Sequence, residues 1–353
     1  MKVRVETKAL RDALSLVRPF VPSAAVKDIY RGVTFTDGAL IAQDGVVGIR
    51  AAVSISLGTP FVINGILLHN FLTNISDDEV AIERASGGIT ARSGNGYWSG
   101  RIAFVEAAFI PAPPPSSAFR PVPEGLTRAL ALADGFADSA GKAGPLPCVN
   151  ITEDGILATD GARAVSVPGK FSPSGSRLLP PRLRGLLSAD MVIQKVAFTN
   201  QLGWFAASGF SVWTSLQVQE YPNVKPIFVA ARKAAKGRAA IQCTEDLRRV
   251  LAASASAGGY FIRCAISGRR LALRCAGENN ETDLTISAGK ATPYQFSAAT
   301  DKLVAIAAAF GELIPCGDGV LYFRGGPLGA EAILMEWVEG TPPPEGVDEP
   351  GLA

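Results

Sequence analysis

Histidine is almost absent: His69 is the only one in a chain of 353 residues. The five cysteines (Cys148, Cys243, Cys264, Cys275 and Cys316) show no metal-ligand spacing, so a His/Cys metal site is excluded and no metal or cofactor is expected. No phosphate loop and no nucleophile-elbow serine occurs, and the chain does not read as an enzyme. Gly94 and Gly96 imitate a Gly-rich loop but join two strands. No apolar run approaches the roughly 18 residues that a membrane span needs. The opening MKVRVETKAL has charges where a signal peptide needs an apolar core. The expectation is a cytoplasmic protein with no membrane partner and with reduced, packed thiols, Cys264 and Cys275 facing each other across one hairpin. A net charge of +2 announces no nucleic-acid partner, so any basic surface must come from how the charges are distributed.

What the chain does contain is repetition. Leu157 to Pro168 reads LATDGARAVSVP, a strand, a tight Asp-Gly turn and a strand. The same plan recurs on either side of it. Head helices are expected at Thr7 to Val17, Glu124 to Ala133 and Thr244 to Ala253, with Leu10, Leu126 and Leu247 in equivalent places roughly 115 to 120 residues apart. Each leads to a strand pair, a second helix (Gly65 to Ile75, Pro180 to Leu187, Thr300 to Phe310) and closing strands. Pro111 to Pro123 and the basic Tyr221 to Arg238 read as linkers, and the acidic, Pro-rich tail as disordered. The expected class is α+β, with two helices packed on antiparallel sheets in each of three domains, 1–115, 120–222 and 236–340, followed by a tail, 341–353.

The few charges on these helices lean basic. Lys8, Arg11 and Arg18 lie opposite the apolar face of the first head helix, Arg128, Arg248 and Arg249 take comparable places, and the second helices add Arg182, Arg184 and Lys302. Any one such face reads first as a solvated surface, and only the basic lean of five of the six helices in a nearly neutral chain favours a surface for phosphates. Asp37, Asp44 and Asp160 sit in turn contexts, where Asp bonds local backbone. With no recognition-helix or aromatic stacking pattern, contact with DNA would be weak and independent of sequence.

The opening MKVRVETKALRDALSLV, the turn ATDGARAV, the linker YPNVKPI and the strand AEAILMEWV, in this order and at these distances, resemble the β sliding clamp of bacterial DNA polymerase III, in its bacterial or phage-encoded forms. The resemblance covers about residues 1 to 340. It implies a non-enzymatic DNA polymerase processivity factor of three DNA-clamp domains per chain. Two chains would close head to tail into a six-domain ring, a homodimer whose helices line a hole around double-stranded DNA. Lys8, Arg11, Arg128, Arg182, Arg184, Arg248, Arg249 and Lys302 would face that hole, with Lys27 and Lys142 adding contacts from loops.

The resemblance also implies an apolar pocket for short linear peptides of the DNA polymerase, clamp loader and repair proteins. Thr159, Gly161, Arg163 and Ala164 form one wall, and Pro222, Pro226, Ile227, Ile333, Leu334 and Met335 the rest, with Ser297 and Thr300 at the border. For Ile333 and Leu334 plain core packing is an equal reading; Val165 and Val167 read as core. The dimer interface falls on Ile102 and Phe104, against Ala252 and Ala253, which are smaller than their family counterparts. Ala162 replaces the histidine common in bacterial clamps, and the last strand reads LMEW rather than ending in a Met-Pro run. The competing reading is a repeat-built structural or assembly protein, for example a phage component, without DNA encirclement.

Overall fold

The computed structural model describes residues 1–22, 32–58, 60–85, 87–94, 96–101, 111–138, 144–171, 175–181, 183, 192–256, 261–267, 270–276, 281–287 and 294–336. The chain begins with β1 (Lys2–Glu6), α1 (Thr7–Val17), β2 (Val33–Thr36), β3 (Ala39–Gln43), β4 (Val47–Ala52), β5 (Phe61–Ile63), α2 (Gly65–Thr73), β6 (Glu79–Ala85), β7 (Gly88–Arg92), β8 (Tyr97–Arg101) and β9 (Arg120–Pro121). It continues with α3 (Leu126–Asp134), β10 (Val149–Ile151), β11 (Gly155–Thr159), β12 (Arg163–Pro168), β13 (Arg177–Leu179), β14 (Lys195–Phe198), β15 (Leu202–Ala207) and β16 (Phe210–Ser215). It then adds α4 (Lys225–Ala235), β17 (Ile241–Gln242), α5 (Glu245–Ser256), β18 (Phe261–Ser267), β19 (Arg270–Ala276), β20 (Glu281–Ser287), β21 (Tyr294–Ala299), α6 (Thr300–Ala309), β22 (Glu312–Gly317), β23 (Val320–Arg324) and β24 (Glu331–Met335). These elements form two compact units, Met1–Val122 with Arg182–Leu216 and Pro123–Pro181 with Gln217–Ala353.

The first unit holds a four-stranded antiparallel sheet, β1-β6-β7-β8, and an eight-stranded one, β5-β2-β3-β4-β16-β15-β14-β9. α1 buries Leu10, Ala13, Leu14 and Val17, the i, i+3, i+4, i+7 set that the sequence presents. The Asn64 side chain caps α2 by accepting from the backbone N–H groups of Ile66 and Leu67. The junction β4–β16 depends on Gly48, because a Cβ there would stand 2.1 Å from Trp213, whose ring packs at a 35° tilt against Trp204 with centroids 5.5 Å apart.

The second unit repeats the scheme, with an eight-stranded sheet β13-β10-β11-β12-β24-β23-β22-β17 and a four-stranded sheet β20-β19-β18-β21. Within it, β12 pairs with β24 so that Ala164 faces Ile333 and Arg163 faces Leu334. One face of the large sheet carries Leu157, Ala164, Ile314, Cys316, Tyr322 and Ile333, and α4 lies across it with Val224, Phe228, Ala231 and Ala235 inward. Successive strand residues point to opposite faces, so Leu334 and Phe323 serve the other side. There Phe310 packs on Phe323 and Phe136.

The head helices and the second helices at Gly65 and Thr300 stand where the sequence placed them. The expected helix from Pro180 falls mostly outside the described residues. The linker reading of Tyr221 to Arg238 fails over Lys225–Ala235, which is helical. Pro226 sits in the first turn, where its missing N–H breaks no intrahelical bond. Cys264 pairs with Leu273 and Cys275 with Ile262, so these two cysteines do not face each other.

Candidate functional site

The β11–β12 turn is tied by its own side chains. Asp160 Oδ1 accepts from the N–H groups of Ala162 and Arg163, both at 2.9 Å. Thr159 Oγ1 accepts from Gly161 N–H at 3.1 Å and donates to Arg163 O at 2.7 Å. Gly161 takes φ +91°, a left-handed value that its missing Cβ permits. The other Asp160 oxygen holds Arg163 Nε at 3.0 Å and Lys302 Nζ at 3.1 Å. Burial pushes the Asp160 carboxyl up. The Arg163 N–H, the Lys302 ammonium, the Ala162 N–H and the Arg163 guanidinium outweigh it and hold the group below the usual carboxylate range.

This geometry redistributes the expected pocket residues. Arg163 lies on Asp160 and over the Phe136 ring at 5.3 Å, and its ladder partner Leu334 is 1% exposed. Both belong to the face opposite α4, so neither joins Ala164 and Ile333. Those two share the α4 face but are buried beneath the helix. Thr159 is buried as well, and its N–H donates to the Tyr221 hydroxyl at 2.9 Å, drawing the residues that lead into α4 to the turn. Met335 N–H donates to Ala162 O at 2.8 Å and brings the end of β24 to the same place. Three separated stretches thus meet at this end of the sheet, and Gly161, Pro222, Pro226, Ile227 and Met335 stay exposed there. Ser297 is half-buried on β21, and Thr300 is buried at the start of α6.

Two ion pairs fix α4 along one flank. Lys225 Nζ meets Asp154 at 2.9 Å, and Arg232 meets Glu331 at 2.6 Å. The Tyr322 hydroxyl donates to the other Glu331 oxygen at 2.6 Å; burial and then this carboxylate raise its pKa above the ordinary tyrosine value. Phe228, Ala231 and Tyr221 are site-forming residues that the sequence reading missed. The signal was the spacing of Val224, Phe228, Ala231 and Ala235, hidden by Pro222 and Pro226.

The predicted DNA-facing cations divide into two sets. Lys8, Arg128 and Arg249 are exposed and Arg11 is half-buried, with Arg249 only 3.8 Å from Asp246. Arg248 instead donates to Ala307 O at 2.9 Å and Phe310 O at 3.3 Å, satisfying carbonyls at the end of α6. Lys302 is committed to Asp160. Lys27, Lys142, Arg182 and Arg184, like Ile102 and Phe104 of the expected interface, lie outside the described residues, while Ala252 and Ala253 are exposed on α5. His69 Nε2 shares a 2.9 Å hydrogen bond with Ser15 Oγ, joining α2 to α1. Among the described residues no group of three or more His, Cys, Asp or Glu is placed to hold a metal, and no helix is long and apolar enough to cross a membrane.

No family model and no curated protein sequence matches the chain. Solved structures do. The DNA polymerase III subunit beta from Pseudomonas aeruginosa superposes with a TM-score of 0.80 at 13% identity, covering 96% of this chain and 100% of that one. The chain has the sliding-clamp fold. The beta subunit from Thermotoga maritima matches with a TM-score of 0.79 at 16% identity, covering 96% of this chain and 99% of that one. A Helicobacter pylori beta clamp, solved bound to a DNA ligase peptide, gives 0.79 at 13% identity over 96% and 100%. At such identity side chains have been replaced almost everywhere. The clamp fold persists because strand pairing and helix placement ask for residue class rather than residue identity.

Proposed function

We propose that the chain is a sliding clamp, a non-enzymatic DNA polymerase processivity factor of the cytoplasm. Two copies close into a ring around duplex DNA and tether a polymerase and its clamp loader by short peptides. The observation that carries this reading is the match to beta clamps along 96% of the chain. The head helices α1, α3 and α5 support a division into modules 1–115, 120–222 and 236–340. Among the described residues β8 pairs only with β7 and β20 only with β19, so each four-stranded sheet offers an edge for another copy. Lys8, Arg11, Arg128 and Arg249 supply the diffuse attraction to phosphates that lets a ring slide. The peptide site lies at the Asp160-Gly161 turn, with Pro222, Pro226, Ile227 and Met335 as its accessible apolar members. Sedimentation equilibrium tests the assembly. The expected particle is about 74 kDa, twice the 36.8 kDa of one chain; a 36.8 kDa species at micromolar concentration contradicts the closed ring.

A further inference from the structure

α4 has two flanks, and the peptide site uses one of them. At 100° per residue Ile227 and Ala234 lie on one side of the helix, whereas Lys225, Val229 and Arg232 lie on the other. Between this second flank and the β11–β12 hairpin is a cavity of about 230 Å³, floored by Leu157 and Phe228 and walled by Pro168, Val229, Arg232 and the paired Asp154 and Lys225. Val229 is 61% exposed at its mouth.

Size and charge together specify the occupant. Small-molecule sites run from about 300 to 1,000 Å³, so this cavity suits one or two side chains rather than a cofactor. Residues 225–238 contain five cations (Lys225, Arg232, Lys233, Lys236 and Arg238) and no carboxylate. Asp154 and Glu331 offset Lys225 and Arg232. Lys233 and Lys236 are exposed and have no carboxylate partner among the described residues. We propose that this flank of α4 is a second docking groove, which takes an acidic peptide segment of a protein partner with one apolar side chain seated in the cavity. The apolar anchor supplies affinity, and the carboxylates beside it meet Lys233 and Lys236, setting orientation and on-rate.

The probe is a fluorescein-labelled decapeptide of Glu and Asp around one central Leu, followed by anisotropy on the full chain at low salt. Binding should weaken as salt rises. Val229→Asp, a change at an exposed position, should lower affinity at least about tenfold by placing a charge at the apolar mouth. Lys233→Glu with Lys236→Glu should lower it several-fold, and Ile227→Asp should leave it within about twofold. Loss with Ile227→Asp and retention with Val229→Asp would put the probe on the other flank and overturn the proposal. Equal binding of a Lys-based probe, or no binding to the unaltered chain, overturns it too. The readout involves neither DNA nor ring closure, so failure of the clamp reading leaves this outcome unaffected.

Discussion

Phe228→Ala is expected to lower the unfolding free energy of the second unit by about 3–5 kcal/mol, the usual cost of emptying a large aromatic site in a packed core. Phe228 is 2% exposed beneath α4 and touches the sheet face that carries Leu157, Ala164 and Ile333. Among the residues that α4 turns inward, Phe228 has the largest side chain, beside Ala231 and Ala235. An isolated helix of 11 residues is marginal in water. The Lys225–Asp154 pair is open to solvent, so Lys225→Ala should cost less than about 1 kcal/mol. Denaturant unfolding of the two variants separates these contributions. Equal effects would show that α4 is held by its ion pairs and not by burial.

The second large effect concerns binding rather than stability. If the proposed peptide site is right, Ile227→Asp combined with Met335→Lys is expected to weaken a peptide from the cognate polymerase by at least about 100-fold, since two exposed apolar anchors that the peptide would cover are each replaced by a charge. Ile227 and Met335 are 37% and 39% exposed, so the fold should tolerate both changes and the assembly should keep its mass. Calorimetric titration of wild-type and double variant with that peptide gives the answer. Unaltered affinity removes these residues from the site. Arg163→Ala serves as the contrast: it removes one partner of Asp160 but leaves Lys302 and the Ala162 and Arg163 N–H groups in place, so the turn should hold and the affinity should change by less than about threefold.

Much of the fold was legible because its signals are local. Leu10, Ala13, Leu14 and Val17 announce α1 by spacing alone, and Asp160-Gly161 announces the β11–β12 hairpin by turn chemistry. The site was legible only in part. That Arg163 and Ala164 face opposite sides follows from the pleat, yet which side is covered by α4 is a long-range fact that no local pattern carries. α4 itself was hidden because Pro222 and Pro226 look like punctuation, although a proline in a first helical turn is compatible with the helix that follows. Lys302 and Arg248 read as solvated cations in sequence. Their partners, Asp160 and the carbonyls of Ala307 and Phe310, come from sequence positions 59 to 142 residues away. Pairing at such separation leaves no trace in local charge patterning.

The central claim is topological, and a topological measurement tests it. The protein is loaded by a clamp loader onto a nicked circular plasmid, excess is removed by gel filtration at a salt concentration that screens phosphate contacts, and the plasmid is cut once. The account predicts that the protein stays with the circle and leaves after the cut, by sliding off the new ends. Protein that remains on the linear DNA, or that dissociates from circle and line at the same rate, contradicts it.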